Sequence, residues 1–216
     1  MSSNSIKGIF LGYTGVGKTS LIQRSQGQEI NDSFQSTVHI DSVEVKYDLE
    51  SGGNFPFRLV DTAGQEQFQE LCQQYIRGSQ VVFFVTAFEN DDEEKEARND
   101  QTIAAYLNKI NDLLQVGEFI PIFIINKCDI TKDDEKRLES KKEAIRNIIE
   151  SAPIHFPEDP PIFLTSALTG SGVSEAFENG FYDGYALFTK QRQHSKNVIQ
   201  LNDDNQNNPN NKKDCC

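Results

Sequence analysis

Eight residues constrain this chain more than any others: Gly12-Tyr13-Thr14-Gly15-Val16-Gly17-Lys18-Thr19, set between an apolar run, Ile6 to Leu11, and a stretch with helical spacing, Lys18 to Gln26. Glycines at 12, 15 and 17 permit a backbone path that side chains forbid, with successive N–H groups turned inward. A strand that feeds such a turn, which then opens a helix, needs further strands beside it to bury its faces. Strand-like runs follow at Ser42 to Leu49, Phe55 to Val60, Gln80 to Phe88, Phe119 to Ile125 and Pro161 to Thr165. Helical stretches alternate with them at Glu66 to Arg77, Glu94 to Leu114, Glu135 to Ile149 and Val173 to Phe188. The alternation predicts a doubly wound α/β domain, a mostly parallel six-stranded sheet flanked by five helices. Most runs are near-continuous Val, Ile, Phe and Leu, as suits strands covered on both faces; Val43, Val45, Tyr47 and Leu49 alternate with polar residues, which places the second strand at an edge. Ser51-Gly52-Gly53-Asn54 marks the hairpin turn between the second and third strands. Ile103, Tyr106, Leu107, Ile110, Leu113 and Leu114 recur at steps of three and four, one stripe facing the sheet.

Composition removes several function classes. A chain of 216 residues with 37% hydrophobic residues can bury one core. Its net charge of −12, from 33 acidic against 21 basic residues, opposes the field that nucleic acid requires, so nucleic acid is not an expected partner. The N-terminus lacks the basic and apolar regions of a secretory signal, and no stretch reaches the 18 to 20 apolar residues of a membrane span. Cys72 and Cys128 are isolated, and Cys215 and Cys216 are adjacent at the end, which is neither a disulfide framework nor a metal spacing. From Lys190 onward the segment is Asn-rich and poor in apolar residues, so the expected division is a domain over 1–189 and a flexible tail over 190–216.

The turn after the first strand has the pattern G-x-x-x-x-G-K-[ST], whose backbone N–H groups and helix N-terminus can cradle phosphate oxygens while Lys18 adds a point charge for the β and γ phosphates. Thr19 can offer its hydroxyl to Mg2+. The third strand ends at Asp61, placed to hold the metal through a water, with Gly64 able to offer its N–H to a γ phosphate and Gln65 to orient an attacking water. The fifth strand runs into Asn126-Lys127-Cys128-Asp129. A carboxylate at 129 can accept two parallel N–H bonds from guanine, which adenine cannot supply. Asn126 would lock the loops and the Lys127 stem would cover the base. Thr165-Ser166-Ala167-Leu168, ending the last strand, would supply backbone groups near the base.

In this order the four motifs resemble the Ras superfamily of small GTPases over about Ile6 to Thr189, and therefore the P-loop GTPase fold. Asp61 to Glu66, Gln74-Tyr75-Ile76-Arg77-Gly78-Ser79 and the terminal Cys-Cys are most similar to the Rab branch, which controls vesicle traffic. The resemblance implies a switch that binds GTP or GDP with Mg2+, hydrolyses GTP and changes shape when the γ phosphate leaves. It implies that Thr37, 19 residues beyond Lys18, is the switch I threonine that meets Mg2+ and the γ phosphate. The implied catalytic set is Gln65, Lys18 and Thr37, and the implied metal set is Thr19, Thr37 and Asp61. The implied nucleotide contacts are Gly12, Thr14, Gly15, Val16, Gly17, Lys18, Thr19, Ser20, Ile30, Phe34, Thr37, Gly64, Asn126, Lys127, Asp129, Ser166, Ala167 and Leu168.

Several positions depart from the pattern. Thr14 is larger than the glycine of Ras proteins, and Ile30 replaces the usual aromatic ring against the guanine. Val85-Thr86-Ala87-Phe88 stands where Rab proteins usually have tyrosine and aspartate, and Asp91 to Glu94 are four consecutive acids in a loop expected to be more neutral. The terminal Cys215 and Cys216 resemble the Rab signal for double geranylgeranylation. Two lipids can anchor a protein where one gives marginal binding, so the expectation is residence on the cytosolic face of an internal membrane, with a cytosolic pool shielded by a carrier protein. A flexible tail of about 25 residues would reach roughly 28 Å. The implied partners are an exchange factor, a GTPase-activating protein, effectors and the prenylation machinery, around a monomeric GTPase domain. Two alternatives remain open at this point: a divergent Ras- or Rho-like GTPase in signalling, and a nucleotide-binding scaffold with little turnover, for which Thr14 and Ile30 argue and against which Gln65 argues. An ATP-dependent P-loop kinase is disfavoured by Asn126 and Asp129.

Overall fold

The computed structural model describes residues 5–30, 41–49, 53–62, 69–90, 92–131 and 134–206, with only the backbone given for 69–72 and 194–206. Six strands, β1 (Ile6–Leu11), β2 (Asp41–Asp48), β3 (Asn54–Asp61), β4 (Val81–Ala87), β5 (Ile120–Asn126) and β6 (Ile162–Leu164), form one sheet in the order β2-β3-β1-β4-β5-β6. Only the β2–β3 pairing is antiparallel; β3–β1, β1–β4, β4–β5 and β5–β6 run parallel. The helices are α1 (Lys18–Ser25), α2 (Gln69–Ile76), α3 (Glu93–Leu113), α4 (Glu135–Glu150) and α5 (Val173–Gln206). This is the doubly wound α/β architecture read from the alternation of runs, with β2 at the edge that its half-polar pattern requires. The expected start of α2 at Glu66 and the centre of the β2–β3 turn fall outside the described residues.

Two apolar layers hold the sheet. On one face Leu21 and Ile22 of α1 join Val173, Phe177 and Phe181 of α5 against Phe10, Phe57 and Phe83. On the other, Ile76, Ile103, Leu107, Ile110 and Ile145 from α2, α3 and α4 cover Ile9, Val82, Phe84 and Phe123. The α3 stripe is buried at Ile103, Tyr106, Leu107 and Ile110, and Leu113 and Leu114 pack at its margin. The rings of Phe10 and Phe83 stack at 4.3 Å between neighbouring strands, and Phe177 lies 5.4 Å from Phe83. Each such buried ring contributes about 2 to 3 kcal/mol by area. Helix α5 comes this close because it carries Gly180 and Gly184 on its inner face: a Cβ at Gly180 would stand 2.8 Å from the Phe83 ring, and one at Gly184 2.5 Å from a Val81 methyl. Helical glycine costs about 1 kcal/mol relative to alanine, which this packing offsets.

Helix α5 does not end near Phe188 as expected but continues to Gln206, through the first seventeen residues assigned to a tail. A helix already nucleated on the sheet, however, adds a hydrogen bond for each residue fixed, and no glycine or proline interrupts positions 185–208. No helix among the described residues is long and apolar enough to cross a membrane.

Candidate functional site

The loops at the carboxyl ends of β1, β3, β5 and β6 converge. Strand β1 is central, and the chain leaves it toward α1 on one face while β3 leaves toward α2 on the other, which opens a crevice at the strand ends. The glycine turn occupies it. Gly15 and Gly17 have φ of 78° and 94°, a region that L side chains rarely adopt. A Cβ at Gly12 would fall 2.1 Å from the Val85 carbonyl oxygen, and one at Gly17 2.4 Å from the Asn126 amide nitrogen. The turn is thus held against β4 and β5 by the absence of side chains. Gly17 caps α1 without a side-chain hydrogen bond, and the first turn of α1 holds no acidic residue. The positive end of α1 therefore meets the glycine turn with no carboxylate to offset it, as suits an anion. Lys18 is 5% exposed, and its Nζ donates to the carbonyls of Gly12 at 2.9 Å and Tyr13 at 3.0 Å, so the cation lies over the turn.

Beside this cradle the Thr19 hydroxyl donates to Asp61 Oδ2 at 2.5 Å. Asp61 is 7% exposed and its Oδ1 is buried with no hydrogen-bond partner. Burial pushes the Asp61 carboxyl above the usual carboxylate range, against the opposing effects of the Thr19 bond and the nearby Lys18 charge. A desolvated carboxylate with an unused oxygen next to a hydroxyl is a donor set suited to a hard cation or its water. The residues present therefore fit both the phosphates and the Mg2+ that the motifs imply.

At the β5 and β6 end, Asn126 is 1% exposed and joins three loops. Its Nδ2 donates to the Val16 carbonyl at 2.8 Å, while Oδ1 accepts from Thr165 Oγ1 and from the Ala167 N–H, both at 3.1 Å. This is the lock expected of Asn126. Lys127 is the one residue other than glycine with positive φ, 61°, among the described residues. Such a backbone costs on the order of 1 to 3 kcal/mol and persists only where its surroundings impose it. Asp129 sits in a short 3-10 turn, Cys128–Thr131, where the Ser166 hydroxyl donates to its Oδ1 at 2.5 Å. The carboxylate is thereby oriented, and each oxygen has more than one lone-pair site, so accepting from Ser166 does not use up its capacity.

The structure thus brings together Gly12 through Ser20, Asp61, Asn126, Lys127, Asp129 and Ser166 through Leu168. Ile30 is half-buried at the last described position before 31–40. Phe34, Thr37, Gly64, Gln65, Cys215 and Cys216 lie outside the described residues. Sequence reading missed three side-chain roles. Ser166, expected to act through its backbone, instead uses its hydroxyl on Asp129. Arg24 of α1 donates through Nε to the Ala167 carbonyl at 2.7 Å and through a terminal nitrogen to that of Leu168, tying down the last loop. Glu89 accepts Lys127 Nζ at 2.9 Å, so the Lys127 stem ends on a carboxylate. Arg24 and Glu89 carry no motif, and their partners are 143 and 38 residues away.

Comparison with known proteins agrees with this geometry. Residues 7–183 match the Ras family. The chain is 31% identical over 179 residues to the Ypt/Rab-type GTPase YPT7 of Saccharomyces cerevisiae, covering 81% of this chain and 79% of that one. It is 31% identical over 171 residues to the Ras-related protein Rab-13 of Canis lupus familiaris, covering 79% and 75%, and 28% identical to RabC of Dictyostelium discoideum over 90% of both chains. The match spans β2 to β6 and all of β1 but its first residue, with the glycine turn, Asp61, Asn126 to Asp129 and Ser166 to Leu168, so this chain belongs to the Ras family and is a small GTPase similar to the Rab branch.

Proposed function

We propose that this GTPase is a Rab-type switch in vesicle traffic, whose crevice holds GTP or GDP with Mg2+ through the residues described above. The observation that carries the reading is the Asn126 clasp, which fixes the glycine turn, the base turn and the last loop as one rigid rim. Lys18, with the N–H groups of the glycine turn, would hold the β and γ phosphates. Thr19, Thr37 and, through a water, Asp61 would hold Mg2+, which when bound supplies neutralisation of the phosphate charge. Asp129, aligned by Ser166, accepts the two guanine N–H groups, and adenine would leave that carboxylate unpaired. Gln65 positions the attacking water, and Gly64 and Thr37 sense the γ phosphate through their N–H groups.

The cycle requires an exchange factor, a GTPase-activating protein and effectors, as for the Ras family in general. Cys215 and Cys216 would carry two prenyl groups, added by a prenylation machinery and shielded by a carrier in the cytosolic pool. This places the protein on the cytosolic face of an internal membrane. Lys212 and Lys213 add slight electrostatic help that Asp214 and the acidic body offset, so lipid dominates.

Single-turnover hydrolysis tests the switch. Intrinsic turnover on the order of 10⁻⁴ per second is expected, the scale of isolated Ras. With an activating protein present, Gln65→Leu should keep GTP binding and lose at least about tenfold in rate, because the carboxamide positions water and holds no nucleotide. Equal rates in the two proteins would remove Gln65 from the mechanism.

A further inference from the structure

We propose that Glu89 is a positioning residue for the base-binding turn: its buried carboxylate anchors the Lys127 ammonium and so keeps the Lys127 stem extended where it covers the nucleotide base. This rests on the reading of Lys127 and Asp129 as base-binding residues.

Glu89 follows β4 and is 8% exposed. Its Oε1 accepts from Lys127 Nζ at 2.9 Å and Asn99 Nδ2 at 3.2 Å, and its Oε2 from Lys95 Nζ at 2.8 Å. A carboxylate this buried is costly unless its lone pairs are used, and here they are. Burial alone pushes the Glu89 carboxyl up, but the bonds from Lys95, Lys127 and Asn99 outweigh it and hold the group below its ordinary range, ionised. The carboxylate is itself fixed from three sides. The Glu89 carbonyl accepts from Arg137 at 2.8 Å and its N–H donates to Glu96 at 3.1 Å. Arg137 and Lys141 of α4 bridge to Glu96 at 3.1 and 3.2 Å, and Lys141 reaches Asp100 at 2.7 Å. Asp100 also takes the Thr86 hydroxyl at 2.6 Å.

One lysine would neutralise Glu89, and Lys95, six residues further on in the first turn of α3, is already bonded to it. The second cation comes from a distant loop whose backbone is strained at that very residue. A structural ion pair alone has no need of Lys127. Anchoring its ammonium restricts a side chain that otherwise has many rotamers, so the ordering cost is met on folding and not when nucleotide binds. Loss of the anchor should therefore appear chiefly as faster release. The same network accounts for Thr86 in the otherwise apolar β4 and for buried Glu89 two residues beyond it.

The test is a double-mutant cycle on the full chain loaded with N-methylanthraniloyl-GDP, read as the rate of release into excess unlabelled GDP. Glu89→Gln and Lys127→Ala should each speed release by about tenfold, and the double variant should be within about twofold of Lys127→Ala alone. A double variant near a hundredfold would mean that the two act independently, and would overturn the proposal. Where Glu89→Gln gives no folded protein, Glu89→Asp, which keeps the charge and shortens the reach, carries the same cycle. Asp129→Asn separates the two readings. If it keeps guanine preference, the base site itself is misassigned; if it loses that preference while the Glu89 and Lys127 effects multiply, only the positioning role of Glu89 falls.

Discussion

The phosphate end and the base end of the crevice are built on opposite plans. At the proposed phosphate end α1 has no side-chain cap and no acidic residue in its first turn, the Lys18 ammonium rests on two backbone carbonyls, and Asp61 Oδ1 is buried without a hydrogen-bond partner. At the proposed base end the side chains are already bonded, Asn126 to two neighbouring loops, Asp129 to Ser166, and Lys127 to Glu89. The difference teaches how one site can be both tight and selective. A cradle of backbone groups and one ammonium suits any triphosphate with its metal, whereas a rim fixed in advance discriminates, because a mismatched base cannot induce a new arrangement at low cost.

That contrast predicts a graded set of outcomes. The largest should follow Lys18→Asn, which removes the one charged side chain of the glycine turn; GDP affinity should fall at least about a hundredfold in equilibrium titration, with the fold retained by circular dichroism. A loss below tenfold would mean that the backbone cradle suffices without it. Asn126→Ala breaks the clasp and leaves the Val16 carbonyl and the Ala167 N–H without their partner. Stability in denaturant titration should drop by about 2 to 4 kcal/mol, and release should quicken as well. An effect on release with no loss of stability would make Asn126 a ligand group and not a clasp. Ser166→Ala removes the hydrogen bond to Asp129 together with the acceptor of the Thr169 N–H, and should speed GDP release by about tenfold, the cost of one hydrogen bond to a charged group.

The smallest effect concerns Asp61. Its carboxyl is raised in the folded protein, so the folded state holds the proton more tightly than the unfolded chain does. Stability from this group is therefore present at acid pH and is lost as pH rises from the ordinary carboxylate range through the raised value. Asp61→Asn should raise the unfolding temperature of nucleotide-free, Mg2+-free protein at neutral pH and weaken the Mg2+ dependence of GDP binding. An unfolding temperature lowered at neutral pH would show that the Asp61 charge is satisfied in the free protein.

The two ends also differ in how far the sequence alone reveals them. The glycine turn is legible because its parts are contiguous and each glycine answers a local demand, a positive φ or a close approach to β4 and β5. Asn126 and Asp129 are legible as a short motif at a strand end, and so is the locking role of Asn126. The groups that hold that motif are not. Glu89, Arg24 and the Ser166 hydroxyl act across the sheet, and nothing in their neighbours in sequence distinguishes them from surface polar residues. The α3 stripe and the edge character of β2 could be read from periodicity because burial imposes it. The length of α5 could not, since helix continuation past the packed region depends on the absence of a stop signal, and Asn-rich sequence reads as a tail when only burial is weighed.

Base discrimination is the property that the proposed function assigns to the rim, and competition binding measures it directly. Labelled GDP bound to the full chain with Mg2+ is challenged by GTP and by ATP, in the wild type and in Asp129→Asn. The account predicts that ATP competes far more than tenfold worse than GTP against the wild type, and that Asp129→Asn loses most of that preference. ATP within tenfold of GTP, or a guanine preference unchanged by Asp129→Asn, would contradict it.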